Sequence, residues 1–459
     1  MAGNNGEREE WGSRFGFIMA AAGSAVGLGN IWRFPYITGK YGGAAFVLVY
    51  LAIVFIIGIS VMIAEFAMGR NAKLDPVGTM TKLGNTKPGG KAWGVVGWMG
   101  FLCAFVILSY YSVIAGWTLS YMFKSLGSLM TEINANSDAA GAIFGAFIGN
   151  PVQPIIFHAI VMAIVTYVIY RGIGSGIEKS CKILMPLLFV ILLLLIARSV
   201  TLDGASKGLE FYLKPDFSKL TGEGVLAAVG QGFYSLSLAM GIMITYGSYI
   251  KKDEYIPGTA RTIVFLDTLV AIMAGLVIFP AAFAYNVDAG AGAGLTFITL
   301  PIVFAKMPMG AVFSFAFFAL LFIAAITSSF SLFEVSVAFA KDEFGWDRKK
   351  SAIVMGIAIT LFGFLSSLSQ GELGAKGALL NIHGKDFLTV VDFLTNNVIM
   401  PIGGILIAVF VGWFWHKEAH KELTNDGKFT FSLYTAWLWI CRILAPVTIA
   451  IIFWNGLTW

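Results

Sequence analysis

Long runs without Asp, Glu, Lys or Arg dominate the chain. They cover residues 15–32, 41–64, 92–123, 139–170, 224–250, 268–287, 307–333, 351–371 and 393–416. A shorter apolar run covers 183–197, and a last one covers roughly 431–454, interrupted only by Arg442. A helix needs ~20 such residues to cross hydrocarbon, so the pattern predicts eleven membrane spans. The segments 201–222 and 288–306 read as structured outside loops, and 295–305 is apolar enough for a re-entrant or plugging helix.

Spans 1 and 6 depart from this apolar uniformity. Span 1 holds Gly23-Ser24-Ala25-Val26-Gly27-Leu28-Gly29-Asn30, and span 6 holds Ser235-Leu236-Ser237-Leu238-Ala239-Met240-Gly241. Interior glycine costs about 1 kcal/mol relative to alanine, which weakens a helix. For one span alone, close helix packing is the better explanation of small residues. Two such interruptions five spans apart point to an inverted repeat with a binding site at the breaks. The predicted fold class is therefore an all-α polytopic membrane protein of one transporter domain (1–459). Its repeats are spans 1–5 (11–200) and 6–10 (223–416), helices 1 and 6 are unwound at the midplane, and helix 11 (431–456) follows.

Composition agrees: 58% of residues are hydrophobic and 12% charged, about half the charge of a soluble domain. The net charge of +5 is spread over separate loops and gives no nucleic-acid footprint. Most of the Lys and Arg fall in alternate loops, which puts the N-terminus in the cytoplasm and the C-terminus outside. The polar segment 1–11 lacks the features of a cleavable signal peptide. Cys103, Cys181 and Cys441 are far apart and imply neither a disulfide framework nor a metal site.

Breaking a helix at the midplane frees backbone groups that lipid cannot satisfy. Bare N–H groups at a half-helix N-terminus suit a carboxylate, and bare carbonyls at a C-terminus suit a cation or an ammonium group. A zwitterionic amino acid matches both, and sodium matches the remaining oxygens. Thr327, Ser328 and Ser329 place three hydroxyls in an apolar span. One hydroxyl is explained by bonding to its own helix, whereas three in a row favour a ligand cluster. Glu65, Asp267 and Glu334 are acids within or near the ends of spans, where charge is expensive.

These residues carry a resemblance. Residues 23–35 (GSAVGLGNIWRFP) and 65–70 (EFAMGR), with segments 109–117, 230–249 and 324–329, are similar to the neurotransmitter:sodium symporter family from Arg8 to about Asp392. The resemblance implies the family's leucine-transporter fold in a cell membrane, with some bacterial members also having eleven helices. It implies one sodium site at the Ala25 carbonyl, Asn30, Ser235 and Asp267. A second would lie at carbonyls of Gly23, Val26 and Ala324 with the hydroxyls of Thr327 and Ser328. The substrate carboxylate would meet amides near Leu28 and Gly29 and the Tyr111 hydroxyl. Its ammonium would meet carbonyls of Ala25, Tyr234 and Ser235 and the Ser237 hydroxyl. Glu65 would accept N–H groups at both breaks. Arg33 with Asp392, under the ring of Tyr234, would close the outside. Arg8 with Asp342, near Trp11, Tyr249 and Glu334, would close the inside.

The implied function is sodium-coupled symport of bulky hydrophobic L-amino acids, in a pocket of Ile107, Tyr111, Tyr234, Ser237, Met240, Ser328 and Leu332. No chloride requirement is expected. The pocket that holds chloride in animal relatives would here be Tyr50, Gln231, Ser235, Asp267 and Ala271, and Asp267 already places a carboxylate in it. Three alternatives stand beside this reading: a proton-coupled symporter of the same architecture, a channel, and an intramembrane enzyme. A channel needs a continuous polar pore. No HExxH pattern supports an enzyme, the GxSxG match at Gly204-Ala205-Ser206-Lys207-Gly208 falls in an expected outside loop, and His158, His383, His416 and His420 are scattered.

Overall fold

A computed structural model describes residues 8–287 and 294–457. Among these, nine helices are long and apolar enough to cross a membrane, and a bent helix pair adds a tenth candidate. In chain order, α1 (Arg14–Ala25) and α2 (Gly29–Lys40) form that pair, bent by 52°. Then come α3 (Ala44–Ala72), α4 (Gly90–Lys124), α5 (Gln153–Tyr170) and α6 (Ile173–Val200). A second interrupted pair follows, α7 (Gly222–Ser235) and α8 (Ile242–Ser248). The remaining long helices are α9 (Ile256–Ala284), α10 (Gly310–Phe344), α11 (Arg348–Leu368), α12 (Phe387–Phe414) and α13 (Tyr434–Gly456).

Most helices outrun the charge-free stretches that announced them. The 35 residues of α10 rise about 52 Å, well beyond the ~30 Å hydrocarbon thickness. Its C-terminal turns carry the charged residues Lys341 and Asp342.

The expected span 139–170 is corrected. Helix Ala139–Ile148 ends before Pro151, and α5 begins at Gln153. The Asn150 side chain accepts from the N–H groups of Val152 and Gln153, both at 2.9 Å, so an Asn-Pro turn divides the apolar run. Segment 201–222 contains helix Ala205–Leu213. The expected plug forms a π-turn and helix over Leu295–Lys306, with Phe297 stacked on Phe144 at 5.0 Å. The start of that expected loop, 288–293, lies outside the described residues. The all-α expectation misses one two-stranded hairpin, Asn381–Ile382 with Lys385–Asp386.

Both interruptions fall where the glycine and serine pattern places them. Helix α1 stops at Val26, which turns to φ −71°, ψ 98°. Beyond α7 the chain enters the left-handed region at Ser237 (φ 53°), Ala239 (φ 60°) and Gly241 (φ 74°). Only glycine visits that region freely; other residues lose about 1–2 kcal/mol there. Helix α4 passes close by: a Cβ at Gly100 would lie 3.0 Å from the Gly241 nitrogen. Helices α3 and α8 meet backbone to backbone. A Cβ at Gly69 would lie 2.0 Å from the Ile244 carbonyl oxygen, and one at Gly247 would lie 2.8 Å from that of Phe66.

At the end of α3 a buried guanidinium locks three segments together. Arg70 Nε meets Glu422 Oε1 at 2.6 Å, Nη1 donates to the Glu254 carbonyl at 2.6 Å, and Nη2 donates to the Glu422 carbonyl. Asn71 and Lys252 donate to Glu422 Oε2 at 2.9 and 2.7 Å. Burial pushes the Glu422 carboxyl up, but Lys252, Asn71 and Arg70 outweigh it and hold the group below its ordinary range. Arg70→Ala is expected to destabilise the protein by about 3–5 kcal/mol, because it strands a buried charge. Arg70→Lys should recover only part, since an ammonium lacks the planar fork. Thermal unfolding in detergent checks both; an unchanged midpoint in the alanine variant refutes the clamp.

Candidate substrate and cation site

The two interruptions face each other across a buried cavity of about 30 Å³. It is lined by Ala25, Gly29, Ile107, Tyr111, Tyr234, Ser235, Ser237, Met240, Ser328 and Leu332, all expected from the sequence, and also by Ser24, Gly27 and Ile242. Leu28 does not line the cavity; its N–H donates to the Tyr111 hydroxyl at 3.1 Å. Ser24 was missed although it lies in the glycine-rich stretch. Its hydroxyl sits 2.7 Å from that of Ser331 and 3.3 Å from that of Ser237. The cavity has room for about one water, so Tyr234, Met240 or Leu332 must shift to admit an amino-acid side chain.

On one flank, carbonyl oxygens crowd a single hydroxyl. Ser328 Oγ lies 3.2 Å from the Gly23 oxygen, 3.1 Å from that of Ser24, 3.2 Å from that of Val26 and 3.1 Å from that of Ala324. A serine carries one proton and can satisfy one of the four. Thr327 Oγ1 lies 3.2 Å from the same Ala324 oxygen. The Ser24 oxygen also accepts from the Ser237 hydroxyl at 3.0 Å; neutral oxygens gathered in an apolar span suit a small hard cation. The carbonyls of Gly23 and its neighbours are available because α1 stops at Ala25, whereas that of Ala324 belongs to the continuous helix α10.

On the other flank lies a buried carboxylate. Asn30 Nδ2 donates to Asp267 Oδ1 at 2.7 Å, and the Ser235 hydroxyl is 3.0 and 2.9 Å from the two carboxylate oxygens. The Tyr50 hydroxyl is 3.2 Å from Ser235 Oγ and 3.4 Å from Asp267 Oδ2. Gln231 donates to the Gly29 carbonyl at 2.8 Å, and its own oxygen has no partner. Ala271, one turn along α9 from Asp267, is fully buried. Among the described residues no cluster of His, Cys, Asp and Glu has the make-up of a transition-metal site.

Glu65 Oε1 accepts from the Ala239 N–H at 2.7 Å, inside the left-handed stretch. The expectation that it serves both breaks is corrected: its second oxygen has no partner, and only the later break is reached.

The two expected gates differ. At the outer one, the Arg33 guanidinium lies 5.1 Å over the Tyr234 ring. Asp392 does not pair directly with Arg33; it accepts from Asn396 at 2.7 Å. The inner residues form a continuous network. Arg8 pairs with Asp342, donates to Ser248 at 2.8 Å and lies over the Tyr249 ring. Tyr249 donates to Glu334 at 2.7 Å, and Trp11 Nε1 donates to the Tyr246 carbonyl at 3.1 Å. Sequence reasoning missed Arg348, which meets Glu334 at 2.6 Å and Glu9 at 3.2 Å. Burial pushes Glu9 up, but Arg348, the Ile173 N–H and Lys341 outweigh it and hold it low. Asp75 was also missed. Burial, with Asp342 beside it, pushes its carboxyl up to about 8.

The chain matches the profile of the Sodium:neurotransmitter symporter family over residues 8–137 and 147–458. It is similar to the crystal structure of MhsT in complex with L-phenylalanine, with 44% identity, a TM-score of 0.86, and coverage of 98% of this chain and 100% of that one. It is 37% identical over 447 residues to the sodium-dependent transporter YhdH of Bacillus subtilis, covering 97% of each. It is 28% identical over 517 residues to sodium-dependent nutrient amino acid transporter 1 of Drosophila melanogaster, covering 97% of this chain and 77% of that one.

Proposed function

This chain belongs to the sodium:neurotransmitter symporter family, and from that premise we propose that it imports bulky hydrophobic L-amino acids by sodium-coupled alternating access. Membership makes it a multi-pass membrane transporter driven by sodium. The observation that carries the finer reading is the convergence of four carbonyls on the Ser328 hydroxyl at the wall of the buried cavity. Those oxygens, with Thr327, make one sodium site. The Ala25 carbonyl, Asn30, Ser235 and Asp267 make the other. Ala25 and Ser235 also line the cavity, so a bound amino acid touches the groups that hold that sodium.

In this reading the pair α7 and α8 is a broken sixth span, which brings the count to eleven and sets spans 1–5 (11–200) against 6–10 (223–416) as inverted repeats. The N-terminus is cytoplasmic and the C-terminus extracellular. The Arg8 network closes the inside, and Arg33 with Tyr234 and Asp392 closes the outside through intervening groups. Sodium-gradient-driven uptake of a radiolabelled amino acid into proteoliposomes tests the reading; uptake that follows a proton gradient and ignores sodium overturns it.

Selectivity follows from the lining. It carries no free charged side chain, which excludes acidic and basic substrates. Met240 is unbranched and adapts its shape. Leucine, phenylalanine and tryptophan are each expected to compete with labelled leucine, while glycine and glutamate at the same concentration leave uptake nearly unchanged. Strong competition by glutamate, with none by tryptophan, would refute this selectivity.

A further inference from the structure

On the outer face of the bundle, away from the cavity, α5 and α11 leave an open furrow of about 520 Å³. The two helices touch where a Cβ at Gly356 would lie 2.6 Å from Thr166 Oγ1. Beside that contact Ala163 is too short to fill the gap, and Ile357 and Leu361 line it while remaining 57% and 58% exposed. The furrow follows α5 from Ala159 to Tyr170, a rise of about 16 Å. That is about half of the ~30 Å hydrocarbon thickness, the depth of one leaflet.

One end is marked by cations. Arg171 follows α5, and Lys349 and Lys350 open α11. The Lys349 ammonium lies 5.3 Å over the Tyr170 ring, and Arg171 Nη1 donates to the Tyr167 hydroxyl at 3.1 Å; both tyrosines line the furrow. Among the described residues, none of these three cations forms an ion pair, whereas their neighbour Arg348 turns inward onto Glu334 and Glu9. The nearby Asp347 caps α11 by accepting the Lys349 and Lys350 N–H groups at 3.0 and 3.1 Å.

We propose that this furrow seats one acyl chain of an anionic glycerophospholipid whose phosphate meets Arg171 and Lys349. An acyl chain fits a shallow apolar trough one leaflet deep. The unpaired cations at its interfacial end select an anionic headgroup, as basic pockets between transmembrane helices do. A second copy of the chain would leave those cations facing its own.

Native mass spectrometry of the detergent-solubilised full chain, titrated with dioleoylphosphatidylglycerol or dioleoylphosphatidylcholine, tests this. Wild type is expected to retain one phosphatidylglycerol in preference to phosphatidylcholine. Arg171→Gln with Lys349→Gln should weaken phosphatidylglycerol by about fivefold per cation removed, with phosphatidylcholine unchanged. Ala163→Trp, a substitution at an exposed position that fills the trough, should weaken both lipids. Sodium-driven uptake and the unfolding midpoint should stay at wild-type values in both variants. Equal retention of the two lipids by wild type overturns the proposal, as does phosphatidylglycerol binding that neither variant alters. So does a wild-type dimer that Ala163→Trp dissociates without changing lipid retention.

Discussion

In gluconate medium, uptake by Asp267→Asn is expected to fall a hundredfold or more below wild type, and chloride should restore part of it. The expectation rests on the cluster in which Asp267 meets Asn30, Ser235 and Tyr50 within 3.4 Å and is fully buried. In the proposed site, a sodium ion at Asn30 and Ser235 would take its countercharge from that carboxylate. Removing the partner of a buried charge costs about 3–5 kcal/mol, which sets the size of the loss. A mobile chloride beside the neutral asparagine can replace the lost charge but needs hydroxyl donors. Tyr50 and Ser235 supply two, and Ala271→Ser adds a third one helical turn away, so the double variant should recover more in chloride than the single one. Wild type should transport equally well in chloride and gluconate, because a second anion beside Asp267 meets like-charge repulsion in a poorly solvated site. Chloride-dependent wild-type uptake, or full activity of Asp267→Asn in gluconate, defeats the assignment.

The second large effect concerns the other flank. Thr327→Ala with Ser328→Ala should abolish sodium-driven uptake without unfolding the protein. Hydrogen bonds and dipoles that act on a charged group contribute roughly 1.5–3 kcal/mol each, so losing two hydroxyls should raise the sodium concentration for half-maximal uptake by at least a hundredfold. Ser328 also lines the cavity, and its removal alone confounds cation and substrate binding. Thr327 does not line it. Thr327→Ala should therefore shift the sodium dependence at saturating substrate, and Thr327→Ser should restore it. Unchanged sodium dependence in the double variant removes this pair from the cation site.

The breaks were legible because two glycine- and serine-rich stretches recur five spans apart, and helices end inside those stretches, at Ala25 and Ser235. Ten of the cavity-lining residues follow from the resemblance to the family. What escaped was set by partners distant in sequence. Arg348 looks like any basic residue in a loop until the fold turns it onto Glu334 and Glu9. Asp75 looks like a helix cap, which it is, and its place beside Asp342 depends on how α3 and α10 end. The expected direct pair of Arg33 and Asp392 is replaced by a bond to Asp392 from Asn396, four residues along the same helix. The division of 139–170 was readable from Asn150-Pro151, had the turn been weighed against hydropathy.

The glycine contact between α3 and α8 has a kinematic consequence. With Gly69 and Gly247 each pressed against the opposite backbone, the two helices cannot slide or roll past one another without a clash. They count as one rigid link, and the Arg70 clamp bolts helix His416–Thr424 to the same body. The other inner half-helix, α1, is fastened differently. Its N-terminal segment is held by Trp11, by the Ser13 and Gly12 bonds to Glu178 at 2.8 and 2.7 Å, and by a 3.0 Å pair of Arg14 with Glu254. Polar bonds of that kind can be exchanged for water one at a time, whereas interlocked backbones must separate together. Of the two half-helices, α1 is therefore the one held by contacts that can part singly, and α8 the one that is locked to α3.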